Sequence, residues 1–229
     1  MTPDQYPPSL APRLMKDYRP PEGPLVELYR DEDLLFVDKP ADLLSVRGRP
    51  ADHWDCLEYR VRQAHPTALL IHRLDLGTSG VMVFALNHRA QKLINQQFER
   101  RHVAKTYVAR VAGVPWAEAG RIDLPLASDW PRRPMQRVCW ERGKPSRTRW
   151  QVLAREGEAT RLKLHPETGR SHQLRVHLKE IGHPIIGDAF YAPDEIYEAA
   201  PRMHLHALTL TLRHPEDGRE VRIEAPCPF

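Results

Sequence analysis

From Leu25 onward the apolar positions of this chain fall mostly at strand spacing. Short segments at Leu34-Leu35-Phe36-Val37, Val81 to Leu86 and Val103 to Val111 predict strands. Thr148, Trp150 and Val152 alternate with polar neighbours, as do Leu162 with Leu164, and Leu208 with Leu210 and Leu212. A period of two means a sheet buried on one face. Helical spacing interrupts the strands at three places. Residues 53–64 put Trp54, Leu57 and Val61 on one side, residues 88–100 put Ala90, Leu93, Ile94 and Phe98 on another, and Ser171 to Glu180 carries Leu174 and Leu178 one turn apart. Strands at hairpin distances outnumber helices, so the pattern predicts an α+β fold with a largely antiparallel sheet.

Composition bounds what surrounds that pattern. The chain has 229 residues and 22 prolines, of which seven lie in the first 24 residues. Proline removes a backbone donor and breaks both helix and ladder, so residues 1–24 are expected to form an extended arm ahead of a single domain over 25–229. The longest apolar run, Val81 to Leu86, is far shorter than the roughly 18 residues of a membrane span. No apolar signal segment opens the chain, and a cytoplasmic monomer is expected. Cys56, Cys139 and Cys227 are widely spaced, with no CxxC pair, and are expected only to fill space.

The net charge of +4 is unremarkable until it is located. Between Pro131 and Trp150 stand Arg132, Arg133, Arg137, Arg142, Lys144, Arg147 and Arg149 against one acid, Glu141. The segment carries +6 and leaves the rest of the chain near −2. A charge run alone reads as a solvated loop, but Trp130, Trp140 and Trp150 interleave with these cations. Cations with aromatic rings are what phosphate neutralisation and base stacking use. At least one of the three tryptophans is equally suited to anchor a strand in the core. A second basic stretch, Arg100-Arg101-His102 with Lys105 and Arg110, follows the 88–100 helix.

Two polar clusters carry candidate chemistry. His72-Arg73-Leu74-Asp75 leads into Gly77-Thr78-Ser79-Gly80, a run whose glycines permit a tight turn and whose hydroxyls can satisfy its amides. A plain polar turn with an Asp–Arg pair would read the same way. Gly169-Arg170-Ser171-His172-Gln173-Leu174-Arg175-Val176-His177 opens the late helix, as an anion-binding helix terminus could. His172 and His177 are five apart with no Glu after the first, which is not zinc-protease spacing.

These blocks together resemble the RluA-type pseudouridine synthases, whose signature is H-R-L-D followed by T-S-G. Val37-Asp38-Lys39-Pro40 with Leu43-Leu44, His72 to Gly80, Lys105-Thr106-Tyr107-Val108-Ala109, and Gly169 to His177 with His183-Pro184-Ile185-Ile186-Gly187-Asp188 match in order. The resemblance covers about residues 25–228. Asp129-Trp130-Pro131 and Gly143-Lys144-Pro145 bring it nearest to the short branch with dual rRNA and tRNA specificity. Asp38 stands where relatives often have Asn.

The resemblance implies a bifurcated, mostly antiparallel mixed sheet with a central catalytic cleft flanked by a few helices. It also implies conversion of uridine to pseudouridine without metal or organic cofactor. The expected partners are structured RNA, 23S rRNA and/or tRNA stem-loops, whose splayed loop bases cost least to flip. By the same carry-over Asp75 is the essential aspartate, Arg175 the cation that keeps it ionised, and Tyr107 the phenol that packs on the target base. Arg73 would fill the space that the flipped nucleotide vacates. Arg132, Arg133, Arg137, Lys144 and Arg170 are the expected RNA contacts, because the Pro-rich arm cannot fold into the S4 module that many relatives carry. Two rival readings remain at this point. Asp75-Leu76-Gly77-Thr78-Ser79 also resembles the phosphate loop of actin-like kinases, although 12 glycines in this length leave little for a second such loop. The other is an RNA-binding protein without catalysis.

Overall fold

The computed structural model describes residues 18–48 and 53–229. Residues 1–17 of the expected arm lie outside the described residues, and residues 18–24 contain neither helix nor strand. Tyr18 nevertheless has specific partners: its hydroxyl donates to the Asp55 carbonyl at 2.9 Å and accepts the Leu44 amide at 3.0 Å.

In chain order the elements are β1 (Val26–Arg30), β2 (Leu34–Lys39), α1 (Leu57–Ala64), β3 (Leu69–Leu70), β4 (Ser79–Ala85), α2 (His88–Glu99), β5 (Ala104–Ala112) and β6 (Ala119–Asp123). They continue with β7 (Leu126–Ser128), β8 (Gln136–Val138), β9 (Arg147–Glu156), β10 (Ala159–Pro166), α3 (Gln173–Glu180), α4 (Asp194–Glu198), β11 (Leu205–Arg213) and β12 (Glu220–Glu224). The fold is α+β, with mixed and largely antiparallel strands. Its described part divides into two compact units, residues 18–107 with 206–229 and residues 108–205.

In the first unit β1 and β2 pair antiparallel, β2 pairs antiparallel with β4, and β12 pairs antiparallel with β11. By contrast β4 and β11 pair parallel, at Ser79↔His206 and Gly80↔Ala207. All seven residues of β4 are buried, which is why its apolar run is continuous rather than alternating. Gly80 is required there: at φ +114 a Cβ would meet the Ala207 carbonyl oxygen at 2.2 Å.

In the second unit β9 pairs antiparallel with both β10 and β6, and β7 pairs with β8. Trp150 is the tryptophan that anchors a strand, 7% exposed on β9 with Gly120 opposite it.

Two helices begin later than their periodicity predicts. Cys56 is extended, and its sulfur accepts the Tyr59 amide at 3.5 Å, so α1 starts at Leu57 and Cys56 is a cap rather than filler. The Leu57 and Glu58 amides are taken by the Leu44 and Ser45 carbonyls, which ties α1 to the preceding loop. Trp54 therefore falls outside the helix, half exposed and edge-on to Tyr59. His172 sits at φ 53, in the left-handed region that ends helical geometry, and α3 starts at Gln173.

Candidate active site

The loop between β3 and β4 carries the His72-Arg73-Leu74-Asp75 cluster, and its backbone is held on both sides of Asp75. Ser45, 4% exposed, donates from Oγ to the Leu74 carbonyl at 2.7 Å and accepts the Leu74 amide at 3.1 Å. On the other side the Leu76 carbonyl accepts from Lys39 Nζ at 3.0 Å and from the Asp42 amide at 2.9 Å. Lys39 is wholly buried and also donates to the Leu43 and Pro40 carbonyls, at 2.6 and 2.9 Å. An ammonium in the interior stays favourable only when its protons have acceptors, so Lys39 gathers the 40–43 loop and Leu76 around itself. The Thr78 amide closes the turn onto the Asp75 carbonyl at 3.1 Å.

This leaves Asp75 half-buried and Arg73 exposed, while Leu74 between them points its apolar bulk into the core. His72 closes the cluster from its start. Its Nε2 accepts the Val83 amide at 3.1 Å, so Nδ1 carries the proton, and its ring stacks on Phe98 at 5.0 Å. Burial, then the Lys105 charge, push its pKa down to about 3, and the imidazole stays neutral. Tyr107 on β5 packs against the same core. Its phenol pKa is raised, first by burial and then by the negative charge of Asp75, so it stays protonated.

Thr78 and Ser79 are 2% and 3% exposed. Ser79 Oγ donates to His206 Nδ1 at 2.8 Å, and His206 Nε2 donates to the Ala225 carbonyl at 3.0 Å. The Ser79 hydroxyl is thus committed inside the protein and Thr78 is buried beside it, which corrects the phosphate-loop reading of Asp75 to Ser79.

The second unit holds Arg175 on α3. The guanidinium, 5% exposed, meets the fully buried Asp188 carboxylate in a two-pronged bridge, Nε to Oδ2 at 2.8 Å and Nη2 to Oδ1 at 2.6 Å. Asp188 Oδ1 also accepts the Phe190 amide at 2.9 Å, and the guanidinium lies 4.9 Å from the Phe190 ring. Asp188 is a partner that sequence reasoning did not name, although it stands inside one of the matching blocks. His177 is held at both ring nitrogens, accepting from Thr148 Oγ1 at 2.9 Å and donating to the Leu124 carbonyl at 3.1 Å. Its role is structural.

One grouping among the described residues, Asp33 with His214 and Glu216, has metal-ligand atoms within 4.8 Å of one another. His214 has no nitrogen to spare for a metal. Nε2 donates to Asp31 at 2.9 Å and Nδ1 accepts the Glu216 amide at 3.2 Å.

The basic segment sorts into committed and available cations. Arg132 pairs with Asp129 at 2.6 Å, Arg147 with Asp123 at 3.1 Å and Arg149 with Glu167 at 2.9 Å. Arg133 lies over the Trp130 ring, 3.5 Å from its centre. Among the described residues Arg137, Arg142 and Lys144 form no ion pair. Trp130 and Trp140 are 67% and 73% exposed, so two of the three tryptophans present open rings.

Comparison with known proteins shows the family. Residues 33–180 match the RNA pseudouridylate synthase family. The dual-specificity RNA pseudouridine synthase RluA of Escherichia coli K12 is 48% identical over 217 residues, covering 94% of this chain and 99% of that protein. The protein of the same name from Vibrio cholerae is 44% identical over 216 residues, covering 94% and 88%. Among solved structures, human RNA Pseudouridylate Synthase Domain Containing 1 superimposes with a TM-score of 0.77 at 32% identity, covering 92% of this chain and 87% of that one.

Proposed function

The chain belongs to the RNA pseudouridylate synthase family and is an RNA pseudouridine synthase, and we propose that it acts on both rRNA and tRNA stem-loops through Asp75, Tyr107 and Arg175. The relatives that support the dual substrate are named for dual specificity and align over nearly their whole length. We read residues 25–229 as one catalytic domain on the same ground.

The reaction is an isomerisation. The C1′–N1 bond of uridine breaks, the uracil turns, a C1′–C5 bond forms, N1 gains a proton and C5 loses one. A carboxylate serves as the nucleophile if it is ionised and its approach is fixed. The observation that carries this role for Asp75 is the bracing of its backbone on both sides, by Ser45 at Leu74 and by Lys39 and Asp42 at Leu76. Such bracing allows the side chain to remain half open to a substrate without its backbone drifting. Tyr107, kept protonated, offers a flat apolar ring with a hydroxyl at its edge, suited to packing on the uracil while handling a proton. Arg175, already oriented by Asp188, supplies a cation that does not swing. Arg73 is exposed beside Asp75, and a planar cation there suits the gap left when the target base flips out.

The test is Asp75→Asn assayed on RNA carrying 5-tritiated uridine. Tritium release is expected to vanish while RNA binding persists. Turnover retained by the variant would remove Asp75 from the chemistry.

A further inference from the structure

Beside β7 the second unit has an open pocket of about 430 Å³ whose lining includes Arg142, Lys144 and Arg170 together with Ser128, Gln136 and Ser171. Three cations and no carboxylate line it. Among the described residues none of the three forms an ion pair, unlike Arg132, Arg147 and Arg149 of the same region. Arg170 has the most unusual position. Its Nε is buried yet has no hydrogen-bond partner within the protein. A buried charged donor without an acceptor is costly, and proteins keep few of them unless something from outside completes the bond.

The frame around this pocket is tied by hydrogen bonds. The Arg170 amide donates to Gln173 Oε1 at 3.1 Å, and Gln173 is held in turn by Thr168 Oγ1 at 2.7 Å and by the Arg147 carbonyl at 2.9 Å. Lys144 exchanges both backbone hydrogen bonds with Leu126, at 3.0 and 2.8 Å. The guanidinium and ammonium groups of Arg170 and Lys144 therefore line one pocket from backbone that is hydrogen-bonded in place. Such an arrangement is made for a tetrahedral oxyanion, since a guanidinium offers paired donors, an ammonium a point charge, and serines add neutral donors.

We propose that this pocket receives one phosphate of the RNA backbone, at a distance in sequence from Asp75 and in addition to the catalytic residues. The assignment rests on the RNA-modifying function above. An RNA phosphate is favoured over a free ion because Ser128, Arg142, Lys144 and Ser171 are all exposed around the opening. A phosphodiester needs that opening, because its chain must enter and leave, whereas a free phosphate is best held in a closed cage.

The experiment compares the full-length protein with the Arg142→Gln/Lys144→Gln variant for binding to a tRNA anticodon stem-loop over a range of salt. Both changed residues are exposed, so the fold is retained. RNA affinity is expected to fall about tenfold, and the slope of log affinity against log salt to shrink by about 0.7 for the lost phosphate. Arg142→Lys/Lys144→Arg, which keeps both charges, is expected to restore the slope. Replacing successive phosphates by neutral methylphosphonates should reveal one position that weakens the parent protein and leaves the double variant unaffected. Parent-like affinity and slope in the double variant would overturn the proposal. So would inorganic phosphate shifting the Arg170 Nε–H resonance to saturation while the double variant still binds RNA normally, since the pocket would then serve the free ion. The functional reading fails separately, if the parent protein releases no tritium from any uridine-labelled RNA.

Discussion

Removing the Ser45 hydroxyl is the cleanest way to loosen Asp75 without touching it. Ser45→Ala deletes one oxygen and leaves two polar groups of Leu74, its carbonyl and its amide, without the partners they have at 2.7 and 3.1 Å. Leu74 is 7% exposed, so water replaces that oxygen poorly. Each buried group left unsatisfied costs about 1–3 kcal/mol, which gives about 2–6 kcal/mol for the pair. At about 2–4 °C per kcal/mol for a chain of this size, the melting temperature is expected to fall by about 4–24 °C. Ser45→Cys, which keeps a weaker and longer hydrogen-bonding group, should fall between the two.

The catalytic consequence separates a clamp from mere support. Asp75 follows Leu74 directly, and displacement of a reacting group by about 1 Å can cost on the order of a hundredfold in rate. Single-turnover tritium release, measured well below the melting temperature of the variant, is expected to slow by about tenfold or more with KM little changed. An unchanged single-turnover rate in a destabilised Ser45→Ala would show that the clamp supports the loop without aiming Asp75. An unchanged melting temperature would refute the burial argument itself.

Two further outcomes follow from the same geometry. Trp130→Ala is expected to weaken RNA binding by about 1–3 kcal/mol, the range for one stacked base, while the melting temperature stays put because the ring is 67% exposed; equal RNA affinity would exclude Trp130 as a stacking platform. Below pH 6.5 the unfolded chain takes up a proton that folded His72, at about 3, refuses, so stability is full above that range and is lost as pH falls from 6.5 towards 3, at up to about 1.4 kcal/mol per pH unit. His72→Gln retains an acceptor for the Val83 amide and should flatten the melting curve against pH between 7 and 5, though His204, also lowered, to about 4, leaves a remaining slope.

The parts of this molecule visible from its sequence are those decided locally. The continuous run of β4, the alternation along β9 and the apolar face of α2 each follow from a period, and α2 even begins where Asn87 caps it, with Oδ1 accepting the Ala90 amide at 2.9 Å. The Asp75 cluster was visible because three polar residues, His72, Arg73 and Asp75, stood within four positions between apolar runs. What decides its geometry was not. Ser45 is 29 residues from Leu74 and Lys39 is 37 from Leu76, and neither residue type at that spacing signals a clamp. Asp188 likewise joins Arg175 across 13 residues. His172 shows the opposite limit: helical periodicity ran through it, yet a single left-handed backbone angle moved the start of α3 to Gln173.

Charge counting has the same weakness, and here it is measurable. The +6 of residues 131–150 treats seven cations alike, but Arg132, Arg147 and Arg149 are matched by Asp129, Asp123 and Glu167, all outside that segment. A cation already facing a carboxylate adds little to the field an approaching phosphate feels, because the pair is a dipole whose influence decays quickly in screened solution. Removing a pair as a pair, in Arg149→Gln/Glu167→Gln, is therefore expected to leave the salt dependence of RNA binding unchanged. Removing an uncommitted cation, in Arg137→Gln, should lower it by about 0.7 if that residue meets a phosphate. Equal losses in the two variants would mean that the local carboxylates do not hold their arginines back from RNA, and that the simple count along the sequence was the better guide to the binding face.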